Sequence, residues 1–160
     1  MKNLVARPVN ADLIERMRGW YEDEETRRFV HGPEELDSLL DLIQRMPGTE
    51  VKGAIVTFRQ EWAFLTGNEP VGSIGAETYD HERTSVGVVV APKHRGRGVG
   101  AEMLRQLPSL PGLEETRVLE GGVEPENTAS IRMLRKAGFT IADEVDHEGF
   151  LMAIKEVRHR

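Results

Sequence analysis

Cysteine is missing from all 160 residues. Its absence excludes disulfides and thiol chemistry and fits a cytosolic home. Long apolar runs are missing too: no stretch of eighteen apolar residues occurs, and the first residues lack the charged, apolar and small-residue order of a signal peptide. A cytoplasmic protein with no membrane partner is expected. Positive charge is in deficit, with 21 Lys and Arg against 27 Asp and Glu and a formal net charge of −6. That balance argues against nonspecific nucleic-acid binding, although a local cationic loop can still hold a small anion. Nor is there a repeat, a low-complexity tract or a linker to divide the chain, so residues 1–160 read as one domain with enough apolar content to bury a core.

What is present alternates between strand and helix patterns. "LVARPV" (4–9) alternates as a strand does, and Asn10 or Asp12 could cap a helix reaching about Tyr21. "GPEELDSLLDLIQRMPG" predicts one helix with Leu36, Leu39, Leu40 and Ile43 on a common face and Pro47-Gly48 as its stop. "EWAFLTGNEPVGSIGAETY" reads as two strands about a Gly67-Asn68 turn, and "TSVGVVVAP" as a third, almost wholly apolar strand. A short helix ended by Pro108, the strand "TRVLEGGV", the helix "ENTASIRMLRKAG" and two closing strands around "FTIADEV" and "FLMAIKEV" follow. "VKGAIVTF" (51–58) is apolar enough for a strand but has no assigned place. The order is mixed α/β, with antiparallel hairpins on either side of one strand, loop, helix, strand unit.

Between the apolar strand and the next helix lies "APKHRGRGVGAEML" (91–104). Glycines let successive backbone N–H groups converge on an anion, the helix that follows adds its positive end, and Lys93, Arg95 and Arg97 add full charges. Such a loop suits a pyrophosphate and a further phosphate. Gly96-x-Gly98-x-x-Ala101 also fits a loose dinucleotide fingerprint, with Glu120 near the distance of a ribose-binding acid. A dinucleotide loop, however, turns directly off its strand, whereas Ala91 to Arg95 stand between Val90 and the first glycine.

Arg95-x-x-Gly98-x-Gly100 after "VVVAPKH" resembles the acyl-CoA pyrophosphate loop of the GCN5-related N-acetyltransferase (GNAT) superfamily. "NTASIRMLRKAGF" (127–139) resembles that superfamily's downstream helix, and "RGWYEDEETRRFV" (18–30) the opening of the branch that acetylates ribosomal-protein N-termini and aminoglycosides. The resemblance implies a mixed, mostly antiparallel sheet flanked by helices, in which a central parallel pair, Thr84 to Val90 and Thr116 to Val123, splays apart to admit pantetheine. It implies acetyl-CoA as cosubstrate and no metal. Cofactor contacts would come from the backbones of Val88, Val89 and Val90, from Arg95, Gly96, Arg97, Gly98, Val99 and Gly100, and from Asn127, which could equally be a helix N-cap. Trp20, Tyr21 and Glu24 would meet the acceptor. The acceptor itself, a small molecule or a peptide or protein N-terminus, is not legible, and a homodimer is left open.

The implied reaction is acetyl transfer to a primary amine by direct attack in a ternary complex. An alkylamine has a reference pKa of ~10.4 and an α-amine one of ~7.7 to 8.0, so a base that takes a proton is useful. The strand "SVGVVV" has no carboxylate where many relatives carry one; Glu77, late on the preceding strand, is the nearest candidate by position. The tyrosine that protonates the departing thiolate in many relatives is replaced by Leu134, and Ser130, four residues earlier on the same helical face, could supply a hydroxyl or could simply bond its own helix. Acidic residues at 22–25 and at Glu77, Asp80 and Glu82 would draw in a cationic acceptor. A non-catalytic acyl-CoA sensor and, on the glycine pattern alone, a nicotinamide-dependent oxidoreductase are the competing readings.

Overall fold

The computed structural model describes residues 3–30 and 32–159. Strand β1 (Leu4–Pro8) leads into helix α1 (Ala11–Met17), whose N-terminus is capped by Asn10 accepting from the Leu13 N–H at 2.8 Å. A 3₁₀ turn over Arg18–Glu22 follows, then α2 (Glu24–Phe29), α3 (Glu34–Asp37) and α4 (Leu39–Arg45). The single helix expected over "GPEELDSLLDLIQRMPG" is therefore two. Ser38 leaves helical geometry (φ −107°, ψ 3°), and with that break Leu36 and Leu39 reach the core while Leu40 is 41% exposed.

The unplaced segment 51–58 is a hairpin: β2 (Glu50–Val51) turns at Lys52-Gly53 into the long strand β3 (Ala54–Thr66). β3 turns at Gly67-Asn68 into β4 (Glu69–Tyr79), and β4 runs back as β5 (Arg83–Val90). Helix α5 (Val99–Gln106), β6 (Val118–Val123), α6 (Thr128–Lys136), the short β7 (Thr140–Ile141) and β8 (Leu151–Glu156) complete the chain. The sheet has the order β1-β3-β4-β5-β6-β8-β7, with β2 on β3, and every pairing is antiparallel except β5 with β6.

The pleat of the sheet sorts side chains into two cores. On β3, Trp62 and Phe64 point to the side covered by α5 and α6, where Val99, Met103, Leu104 and Leu134 close over them. Ala63 and Leu65 point to the other side, against Leu13, Met17, Trp20, Tyr21, Leu36 and Leu39 of the N-terminal helices. Burying a large apolar side chain contributes roughly 1.5 to 3 kcal/mol. Both faces of the central strands are thus anchored.

The parallel contact is short. Residues 83, 84 and 85 of β5 register with 118, 119 and 120 of β6, after which β6 stays with β8 and β5 stays with β4. At the joined end a chain of buried hydroxyls crosses the sheet: Thr78 Oγ1 lies 2.8 Å from Thr84 Oγ1, and Thr84 Oγ1 lies 2.7 Å from Thr116 Oγ1. Thr116, expected inside the strand, precedes it and serves this chain. Thr84→Val leaves two buried hydroxyls short of a partner, and an orphaned buried group costs about 1 to 3 kcal/mol. Urea unfolding should show a loss of that size for Thr84→Val and a much smaller one for Thr84→Ser.

Candidate active site

Beyond Ser85 and Glu120 the two parallel strands part, and the opening is a cleft of about 370 Å³ lined by Val88, Val89 and Val90 of β5, by residues 94–96 and 98–101, and by α6; Arg97 stands outside the lining. Among the described residues, no strand pairs with one edge of β5 over residues 86–90, so its backbone groups there are open to a ligand that pairs as a strand would. The glycines explain the shape of the loop. Gly96 and Gly98 adopt left-handed backbone (φ +74° and +79°), and Gly98 is the residue that caps α5. Gly100 is needed for another reason: a Cβ there would lie 2.2 Å from the Met133 sulfur and 3.3 Å from a Val90 methyl, so α5, α6 and β5 meet at that point only without a side chain.

The loop's cations are less free than the sequence suggests. Arg95 donates to Asp23 Oδ2 and Thr26 Oγ1, both at 2.7 Å, and pairs with Glu25 at 3.1 Å. Asp23 in turn caps α2 through the Thr26 N–H, and the Arg95 guanidinium, with that N–H, holds the Asp23 carboxyl below its usual range. Lys93 Nζ lies 2.6 Å from Glu69, which His94 also meets at 3.2 Å. Arg97 is exposed and makes no ion pair among the described residues. Arg132 and Lys136 of α6 line the same cleft, and the sequence reading missed both because they sit on a helix twenty and more residues past the loop.

Asn127 is the N-cap of α6, accepting from the Ser130 N–H at 3.2 Å, and it also borders the cleft. The Ser130 hydroxyl makes no hydrogen bond among the described residues, so the bond to its own helix is not formed. Ser130 stands where this cleft meets a second one of about 460 Å³ that runs on along the split toward Tyr21, Glu35 and Glu61. Val88, Val89, Phe29, Val30, Asn127 and Met133 are shared between the two.

The second cleft has a bare floor. Gly75 of β4 and Gly87 of β5 are register partners, and a Cβ on Gly87 would meet nothing within 4 Å. Tyr21, Glu35, Arg59, Glu61 and Glu77 wall it. Tyr21 lines this cleft, and burial raises its phenol pKa. Trp20 is packed in the helix-side core and lines neither cleft, and Glu24 is exposed on α2 outside both. Glu77 borders the floor and accepts from the Tyr79 hydroxyl at 3.0 Å. Asp80 and Glu82 do not join it; they flank a separate surface hollow with Glu114, Glu115 and Arg117.

Glu61 is a further residue that the sequence reading missed. It opens the buried run 61–65 of β3, and its side chain is 10% exposed with Arg59 Nη2 at 3.9 Å. Loss of water pushes its pKa up to about 7, and the Arg59 charge and Ser73 offset only part of that rise. Ser73 Oγ, fully buried, influences both Tyr21 and Glu61 yet completes a well-formed hydrogen bond with neither. Among the described residues, no cluster of His, Asp or Glu side chains is arranged to hold a metal, and no helix is long and apolar enough to cross a membrane.

Known proteins share this architecture. The chain is 31% identical over 136 residues to the uncharacterized N-acetyltransferase YfmK of Bacillus subtilis, covering 84% of each protein. It is 29% identical over 123 residues to the L-methionine sulfoximine/L-methionine sulfone acetyltransferase of Salmonella typhimurium, covering 71% of this chain and 68% of that one. The fold superposes on the aminoglycoside acetyltransferase AAC(6')-Ib bound to paromomycin and acetyl-CoA with a TM-score of 0.75 at 13% identity, covering 97% of this chain and 94% of the other. Residues 3–140 match the acetyltransferase (GNAT) domain, so the split sheet, glycine loop and capped α6 are those of a GNAT-family protein, an acetyl-CoA-dependent N-acetyltransferase.

Proposed function

We propose that this chain moves the acetyl group of acetyl-CoA directly to a primary amine, with both substrates bound together and the amine belonging to a cationic small molecule or a peptide N-terminus. The observation that carries this reading is the meeting of two clefts at Ser130 and Val88, one bordered by the glycine loop and one by carboxylates. The open edge of β5 at Val88, Val89 and Val90 suits the pantetheine amides, and a backbone N–H there suits the thioester oxygen. The phosphates fall to the N–H groups of Gly96 to Gly100 and to Arg97, with Arg132 and Lys136 on the facing helix. Arg95 joins them only by exchanging its bonds to α2.

The acceptor side supports an amine. Glu35, Glu61, Glu77 and Glu124 line it against one cation, Arg59, so a positive ligand is drawn in and salt weakens the attraction over ~8 to 10 Å. The acidic mouth expected from residues 22–25 is replaced by this basin, since Asp23 and Glu25 are committed to Arg95.

The direct test is thiol release from acetyl-CoA with a panel of polyamines, aminoglycosides, N-terminal peptides and amino-acid amines, L-methionine sulfone among them because a relative takes it. Turnover is expected with a cationic amine, with kcat/KM falling as salt rises; binding of acetyl-CoA with no turnover on any acceptor would instead make the chain a sensor. Arg97→Glu should weaken acetyl-CoA binding in calorimetry by at least tenfold, since a hydrogen bond to a charged group contributes ~1.5 to 3 kcal/mol. Ser130→Ala should lower kcat by up to about 100-fold with acetyl-CoA affinity retained, because the departing thiolate loses a proton source. Full kcat at saturating substrate would leave Ser130 a lining residue only.

A further inference from the structure

Glu61 has no structural reason to be charged where it is. On β3 it shares the face of Ala63 and Leu65, which are packed against the N-terminal helices, and it is as hidden as its apolar neighbours. Its carboxylate does not reach toward solvent. It leans over β4, where a Cβ on Gly75 would lie 2.5 Å from Glu61 Oε1. Gly75 registers with Glu61 on one side and with Gly87 on the other. From the carboxylate, over Gly75 of β4, to Gly87 of β5, one strand spacing of ~4.8 Å, the floor therefore carries no side chain.

We infer that Glu61 is the group that takes the proton from the attacking amine, acting across the bare floor of Gly75 and Gly87. The inference rests on the acetyl-transfer reading above and names its base. An ammonium group on that floor gives a proton to the Glu61 carboxylate and becomes a free amine. The amine nitrogen bonds to the thioester carbon, the carbon–sulfur bond breaks, the Ser130 hydroxyl gives its proton to the departing thiolate, and the second nitrogen proton restores the hydroxyl. Glu61 then returns its proton to water, so one amide, one thiol and one proton leave for each ammonium and thioester consumed.

The groups facing Glu61 fit this role. Arg59 on its own strand stands 3.9 Å away, near enough to favour the carboxylate but not bonded closely to it. Tyr21, from the turn after α1, is kept neutral by burial, and Glu35 of α3 and Glu77 of β4 line the same basin. A proton acceptor that titrates near neutrality is matched to its task. Glu77, the candidate by sequence position, is tied to the Tyr79 hydroxyl and lies opposite Ser85 rather than over the floor. Its part is to attract the amine.

The test uses the full chain. Glu61→Gln should lower kcat by about 100-fold or more while acetyl-CoA affinity is unchanged. In the wild type the carboxylate is the active form, so kcat should climb with pH through the titration of Glu61; that limb should vanish in Glu61→Gln. Glu77→Gln should raise the acceptor KM and keep the limb. Folding is read separately. An acid with a raised native pKa is protonated in the folded state when the unfolded chain has already lost the proton, so wild-type stability should fall between about pH 4.5 and about pH 7, and Glu61→Gln should lose that slope. A Glu61→Gln variant with wild-type kcat and an intact limb would overturn the proposal even if its stability changed, as would loss of the limb in Glu77→Gln alone. A wild-type chain inert toward every amine would overturn the acetyl-transfer reading together with it.

Discussion

Everything the molecule can hold depends on where β5 and β6 stop pairing. The threonine chain from Thr78 through Thr84 to Thr116 joins three separate pieces of backbone by side-chain hydroxyls, buried where no water can substitute. On one side of it the strands are closed and the sheet is ordinary. On the other, β4 holds β5 and β8 holds β6, and nothing holds the two to each other. A pair of strands that never met would leave the sheet in two halves, and a pair that met throughout would leave no cleft. Three registered residues on each strand set the compromise.

Much of this was readable from residue order. The glycine loop between an apolar strand and a helix, the Gly67-Asn68 hairpin and the Asn10 cap are local signals, and local signals survive folding. The break at Ser38 was not readable, because the pattern of leucines fits one helix and only packing against the sheet decides that Leu39 turns in and Leu40 out. Thr116 also looked like strand. Its hydroxyl is committed to Thr84, a partner 32 positions away, and no window along the chain contains both.

The site divides in the same way. Gly98 and Gly100 announce themselves, since their backbone angle and their contact leave no alternative residue. Arg95 and Lys93 looked like phosphate ligands because the sequence shows charges and not their partners; Asp23, Glu25 and Glu69 lie far away in the chain and neutralise them in space. Trp20 illustrates the converse. An aromatic beside a run of acids reads as a binding face, yet the helical turn points it inward and leaves Tyr21 to border the cleft. Glu61 gives no signal at all in the sequence. A single carboxylate within "RQEWAFL" reads as a solvent-facing strand residue, and only the N-terminal helices packed on that face of the sheet make it buried.

The uncovered edge of β5 is chemically the same object as the outer edge of any sheet, a row of unpaired amide groups that another polypeptide could extend. Sheets with such edges tend to associate, yet this one lies inside the protein and faces a wedge rather than open solvent. The wedge is shut by the threonines at one end, and it is bordered by Gly100, Met133 and Val90 where α5, α6 and β5 meet. A second polypeptide strand would have to bring side chains into that space every other residue. A slender chain with amides and no branches of that size would not, so the width of the wedge limits what can pair there.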